Sequence, residues 1–115
     1  MEQEKIKSKI DEISNGDTKF AIDFAEMSIK DLSAFPETAA EALKNRDLRK
    51  LTYANHQLKT IIGLFDLTAL NNLIENSLEL FEKDESYHRE FLTNIKREID
   101  KYVAVINECV KGYRQ

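Results

Sequence analysis

The chain has 115 residues, the size of one domain, and its 42% apolar and 33% charged residues suit a buried core under a charged surface rather than disorder. Three Gly and one Pro are too few for the tight turns of a sandwich or barrel, which leaves helices joined by short connections. A formal charge of −4, a pI of about 5.2 and the lack of any Lys/Arg run argue against nucleic acid as a partner.

In chain order, a first helix is expected over about residues 2–14, where Ile6, Ile10 and Ile13 recur at i, i+4 and i+7 as one narrow stripe. Asn15-Gly16-Asp17 ends it, since Gly16 suits a left-handed C-terminal position and Asp17 an N-cap. So short and weakly apolar a segment reads as a lid or an outlying helix rather than a full bundle member. The second segment runs from about Thr18 to Lys44 and turns Phe20, Phe24, Met27, Leu32, Phe35, Ala39 and Leu43 inward. Pro36 either kinks this helix or stops it near Ser33 and restarts it in a first turn; the kinked, continuous helix is the preferred reading. Asn45-Arg46-Asp47 then breaks the pattern, with Asp47 as the next cap.

The third segment, about 48–64, carries Leu48, Leu51, Leu58, Ile62 and Phe65 at helical spacing. Asp66 reads as the N-cap of a fourth, in which Leu67, Leu70, Ile74, Leu78 and Phe81 repeat through one stripe. Lys83-Asp84-Glu85 is a polar link, with Asp84 or Ser86 as cap. The last helix, about 86–111, buries Phe91, Ile95, Ile99, Tyr102, Ile106 and Val110 and ends at Gly112. The expected fold is all-α: an antiparallel, up-down four-helix bundle over residues 17–115, with residues 1–16 as an additional short helix packing on it. One apolar face per helix suffices for one core, so a monomer is expected.

The charged start, Met1-Glu2-Gln3-Glu4-Lys5, leads into no apolar run, and nothing approaches the ~20 apolar residues that span a bilayer. A cytoplasmic protein without membrane association is the expectation. The lone cysteine, Cys109, rules out an internal disulfide and reads as a small core residue. Gly-rich phosphate loops, paired cysteines and metal-binding His-Glu-x-x-His helices are missing from the sequence, and His56 and His88 fall on different helices, so no metal site is expected. His88, beside Tyr87 and Arg89, reads as exposed and without a role.

The informative stretch is Asn55-His56-Gln57-Leu58-Lys59-Thr60-Ile61-Ile62-Gly63-Leu64-Phe65-Asp66-Leu67. At 3.6 residues per turn, Leu48, Leu51, Leu58, Ile62 and Phe65 fall within an arc of about 100°, and His56 lies about 130° from its centre. His56 therefore faces outward, on a strip shared with Arg49, Thr52, Lys59, Thr60 and Gly63. A neutral imidazole is a competent nucleophile at neutral pH. Phosphate on it would add a charge of about −1.5 to −2. Lys59, one turn on, can offset that charge by ~1 kcal/mol, and Arg49 can attract an acidic docking face. Thr52, Thr60 and Gly63 are small enough for another protein's surface to approach the ring. Gly63 within a helix costs up to about 1 kcal/mol against Ala, so a reason for it is expected, in packing or in function.

His-Gln-Leu-Lys followed by Leu-Phe-Asp-Leu resembles the signature of histidine-containing phosphotransfer (HPt) domains, a His-x-Leu-Lys-Gly core with a Leu-Gly turn into the next helix. On that resemblance His56 matches the phosphorylated histidine, Leu58 the buried leucine, Lys59 the phosphate-side lysine and Phe65 the apolar residue of the turn. Thr60 and Asp66 stand where the family usually has Gly, and Asn55 where it has Ala. Asn55 falls near the apolar arc and needs a hydrogen-bond partner if buried. The likeness spans about residues 17–111.

The resemblance implies a phosphate shuttle rather than a kinase. His56 would take phosphate from a receiver-domain aspartate on a hybrid sensor histidine kinase and pass it to the receiver of a response regulator. Magnesium would sit on the receiver, with no cofactor on this chain. The alternatives are a helical adaptor that docks receivers or other signalling proteins without accepting phosphate, a structural bundle in which His56 is incidental, and a phosphatase acting on receivers.

Overall fold

The computed structural model describes residues 2–75 and 77–115, and among these every regular element is helical. Helix α1 spans Glu2–Ser14, α2 Thr18–Lys44, α3 Leu48–Phe65, α4 Thr68–Glu75 and α5 Glu85–Arg114, with a 3₁₀ turn over Glu79–Glu82 between the last two. The starts follow from side-chain caps. The Asp17 carboxylate accepts from the Phe20 amide at 3.0 Å, Asp47 from Lys50 at 3.0 Å and Asp84 from Ser86 at 2.9 Å, each satisfying a donor the helix leaves unpaired. Gly16 takes φ 87°, the left-handed turn that lets α1 end and α2 begin within three residues. Helix α2 continues through Pro36, at the cost of the backbone bond that the Leu32 carbonyl would accept.

Helix α5 sets the long dimension: 30 residues at 1.5 Å each give about 45 Å, against a molecular extent of 47 Å. Helix α2 packs on α5 and α3, and α4 packs on α3 and α5, so α3 and α4 lie in sequence beside the α2–α5 pair. Isoleucines and leucines fill the space between them, with Leu32, Leu51, Phe65, Leu70, Ile74, Ile95, Ile99 and Ile106 almost wholly buried. Each such side chain contributes about 1.5–3 kcal/mol relative to exposure. Cys109 is buried, as its place on the apolar side requires. Among the described residues no helix is long and apolar enough to cross a membrane.

Several expectations are corrected. Helix α1 is not peripheral: Ile6 and Ile10 are fully buried, and it packs on α5, α2 and α3. Lys5 fastens it to the end of α3 through the Asp66 carboxylate at 3.0 Å and the Asp66 carbonyl at 3.2 Å, while Tyr113 of α5 donates to Asp11. On α2 the innermost positions belong to Ala21, Ala25, Ser28, Leu32, Phe35, Ala39 and Ala42, because α2 lies close against its neighbours and small residues permit that approach. Phe20 and Met27 are consequently exposed, and Phe24 is half-buried against the Phe65 ring at 5.5 Å.

The expected fourth helix through Phe81 is broken; position 76 lies outside the described residues, α4 ends at Glu75, and a 3₁₀ turn carries Leu80 and Phe81 onto the core. Asp66 is not an N-cap. It is the left-handed C-cap of α3, at φ 57°, and its amide donates to the Ile62 carbonyl. The last helix runs through Gly112 to Arg114, since a right-handed glycine only weakens a helix and Lys111 and Arg114 favour its C-terminal end.

Candidate functional site

The buried side of α3 comprises Leu51, Ala54, Asn55, Leu58, Ile61, Ile62 and Phe65. These span about 120°, because α3 is covered by α2 on one flank and α4 on the other, and the centre of that arc lies roughly 160° from His56. The imidazole thus projects almost directly away from the core. His56, Arg49, Thr52, Lys59, Thr60 and Gly63 are all exposed. The strip read from the sequence is brought together on one open surface.

No side-chain hydrogen bond holds the His56 ring among the described residues, and neither Lys59 nor Arg49 forms an ion pair among them. The Thr60 hydroxyl faces back to the His56 carbonyl at 3.5 Å, a long contact typical of Thr within a helix. Lys50 is neutralised by Glu41 at 2.9 Å, so the charge left on the strip is that of Arg49 and Lys59. Within a chain of net charge −4, this is a locally cationic face around a solvent-accessible nucleophile. Among the described residues no carboxylate bonds to the ring, so no nucleophile–base–orienter chain is assembled around it.

Among the described residues Gly63 has no packing reason: beyond its own helix backbone and its chain neighbours, a Cβ built on it meets no heavy atom within 4 Å. Asp66 takes the left-handed backbone conformation that glycine adopts most easily, so the position still makes the turn, while its carboxylate is drawn off to Lys5 and held below the usual carboxylate range by that bond. Asn55 is buried and its amide donates to Ser77 at 2.6 Å; Ser77 in turn donates to the Ile74 carbonyl at 2.8 Å. The Asn55 carbonyl oxygen has no partner among the described residues.

Two neighbours escaped the sequence reading. Leu48, assigned to the inward arc, sits at its edge in the first turn and is 49% exposed; Tyr53 is 63% exposed. With Arg49, Thr52 and His56 they line a shallow, mainly apolar depression beside the imidazole. The signal for Tyr53 was its place three residues before His56, on the same helix face. His88 is also corrected. It is 7% exposed, and its Nε2 lies 2.6 Å from the Leu80 carbonyl, which can only accept, so that nitrogen carries the proton.

Among the described residues no three His, Cys, Asp or Glu side chains gather as a metal site would require. Comparisons with protein-family models, with curated proteins and with solved structures find no match.

Proposed function

We propose that the chain is a phosphocarrier of the HPt type: His56 accepts phosphate from a receiver-domain aspartate and returns it to a second receiver. The observation that carries this reading is the exposure of His56 at the middle of α3, diametrically opposite the buried face, with Lys59 free one turn away. In the proposed step a lone pair on a ring nitrogen attacks the phosphorus of the aspartyl phosphate in line. The P–N bond forms as the P–O bond to the receiver breaks, and the aspartate leaves as a carboxylate. Lys59 offsets the charge on the phosphoryl oxygens, and the rate comes from positioning and electrostatics. The unpacked Gly63 supports the reading as well, because a helix glycine without an internal contact leaves room for an approaching surface.

The architecture belongs to the same proposal: residues 17–115 as an antiparallel, up-down bundle with α3 as the reactive helix, and residues 1–16 laid on it. The pairing of α2 with α3 and α5, and of α4 with the same two, supports that order. A monomeric, cytoplasmic carrier follows, acting with the receivers of a hybrid sensor kinase and a response regulator, with magnesium on the receiver. A second reading, an adaptor that docks receivers without accepting phosphate, is favoured by the apolar depression of Leu48 and Tyr53, which needs no reactive histidine.

The discriminating experiment incubates purified chain with radiolabelled phospho-receivers, beside His56→Gln. Label on the wild type alone supports the carrier. Receiver binding that is equal in both proteins, with label on neither, supports the adaptor.

A further inference from the structure

A second cluster of cations lies outside the His56 strip. A cleft of about 260 Å³ opens between the C-terminal turn of α2 and the first turn of α5, lined by Lys44, Arg46, Glu85, His88, Arg89 and Leu92. We propose that this cleft is a binding site for a small phosphate dianion, free or as a simple phosphomonoester.

The lining is held by the fold, and the donors left for an anion are those of Lys44, Arg46 and Arg89, since the His88 Nε2–H is spent on a backbone carbonyl. The Arg46 guanidinium donates to the Phe81 carbonyl at 2.6 Å, and the His88 imidazole to the Leu80 carbonyl at 2.6 Å. Successive carbonyls of the 3₁₀ turn thus fix two of the lining side chains, and His88 is 7% exposed, so its ring cannot swing away. Arg46 reaches this position from a left-handed backbone, φ 53°, a conformation that costs a side chain such as arginine some strain.

The charges match a dianion. Lys44 and Arg46 have no carboxylate partner among the described residues, and Arg89 is tied only loosely to Glu85, at 3.9 Å. Two uncompensated cations meet a group of about −1.5 to −2 charge. The guanidiniums of Arg46 and Arg89 offer forked donors suited to phosphate oxygens, and Lys44 adds a compact charge. The cationic side chains come from three places in the chain, α2, the turn after it and α5, and line one cleft. The amides opening α5 add a favourable field, although the Asp84 and Glu85 carboxylates oppose it. A cleft of about 260 Å³ has room for a small anion.

The test is an NMR titration of the whole chain with inorganic phosphate and with glycerol phosphate at constant ionic strength, sodium chloride replacing the ligand in the control. With only two histidines, both ring signals are resolved. Saturable shifts of the His88 ring and of amides at 44–47 and 85–89 are expected, unchanged in His56→Gln. Lys44→Ala with Arg89→Ala should weaken binding at least ten-fold, and Glu85→Gln should tighten it. The two arms separate free phosphate from a phosphomonoester as the better ligand. Non-saturating shifts, a double variant within two-fold of wild type, or equal binding of succinate would overturn the assignment.

Discussion

Replacing Gly63 by alanine should stabilise the chain while slowing phosphate transfer. Gly63 lies inside α3, is exposed, and offers an added Cβ no contact within 4 Å, so the substitution introduces neither a clash nor new packing. What remains is the backbone. Glycine costs about 0.8–1.0 kcal/mol against alanine in a helix interior. Two residues from the helix end, where fraying reduces the effect, about 0.5–1 kcal/mol is expected. With a urea dependence of roughly 2 kcal/mol/M, the midpoint should rise by about 0.3–0.5 M, read by far-ultraviolet circular dichroism. The same protein should accept phosphate more slowly than wild type, and Gly63→Gln more slowly still, because the longer side chain stands on the strip beside His56. A destabilised Gly63→Ala would refute the absence of internal packing. A wild-type transfer rate in Gly63→Gln would refute a docking role for this surface.

Ser77→Ala should cost about 1–3 kcal/mol, since it orphans the buried Asn55 amide, and adding Asn55→Ala should recover part of the loss in urea denaturation; a double variant weaker than Ser77→Ala would contradict this. His88→Ala should destabilise by about 1–3 kcal/mol and raise hydrogen exchange at Lys83, whose amide bonds to the same Leu80 carbonyl. The Lys5–Asp66 tie predicts a pH profile. The Asp66 carboxyl is held low, first by its hydrogen bond from Lys5, so its contribution is present above the unfolded value and lost as pH falls below about 4. The Lys5 ammonium is held high, first by its bond to Asp66, so its contribution disappears only as pH rises beyond the ordinary lysine range. The stability difference between wild type and Asp66→Asn should shrink at both extremes; a difference independent of pH would exclude the tie.

The helices were legible where a cap and a periodic stripe coincided. Asp17, Asp47 and Asp84 mark their helix starts, and the outward setting of His56 follows from residue spacing alone. The failures share a cause: periodicity gives the direction of a side chain but not what stands opposite it. Phe20 and Met27 share the apolar side of α2, yet the close approach of neighbouring helices gave the inner positions to alanines. Leu78 and Phe81 continue the apolar stripe of α4 in the sequence, although α4 ends at Glu75 and Glu79–Glu82 form a 3₁₀ turn. Asp66 has the composition of an N-cap, and only its backbone reveals a C-cap. His88 looked idle because its partner, the Leu80 carbonyl, belongs to a turn the sequence pattern reads as helix.

The central claim is that phosphate resides on His56, and it is tested most directly by locating the phosphate after transfer from a phospho-receiver. An acid-labile, alkali-stable label is expected within the peptide Asn55–Lys59, and none on a folded His56→Gln. An acid-stable label, a label elsewhere in the chain, or none from any receiver would contradict it.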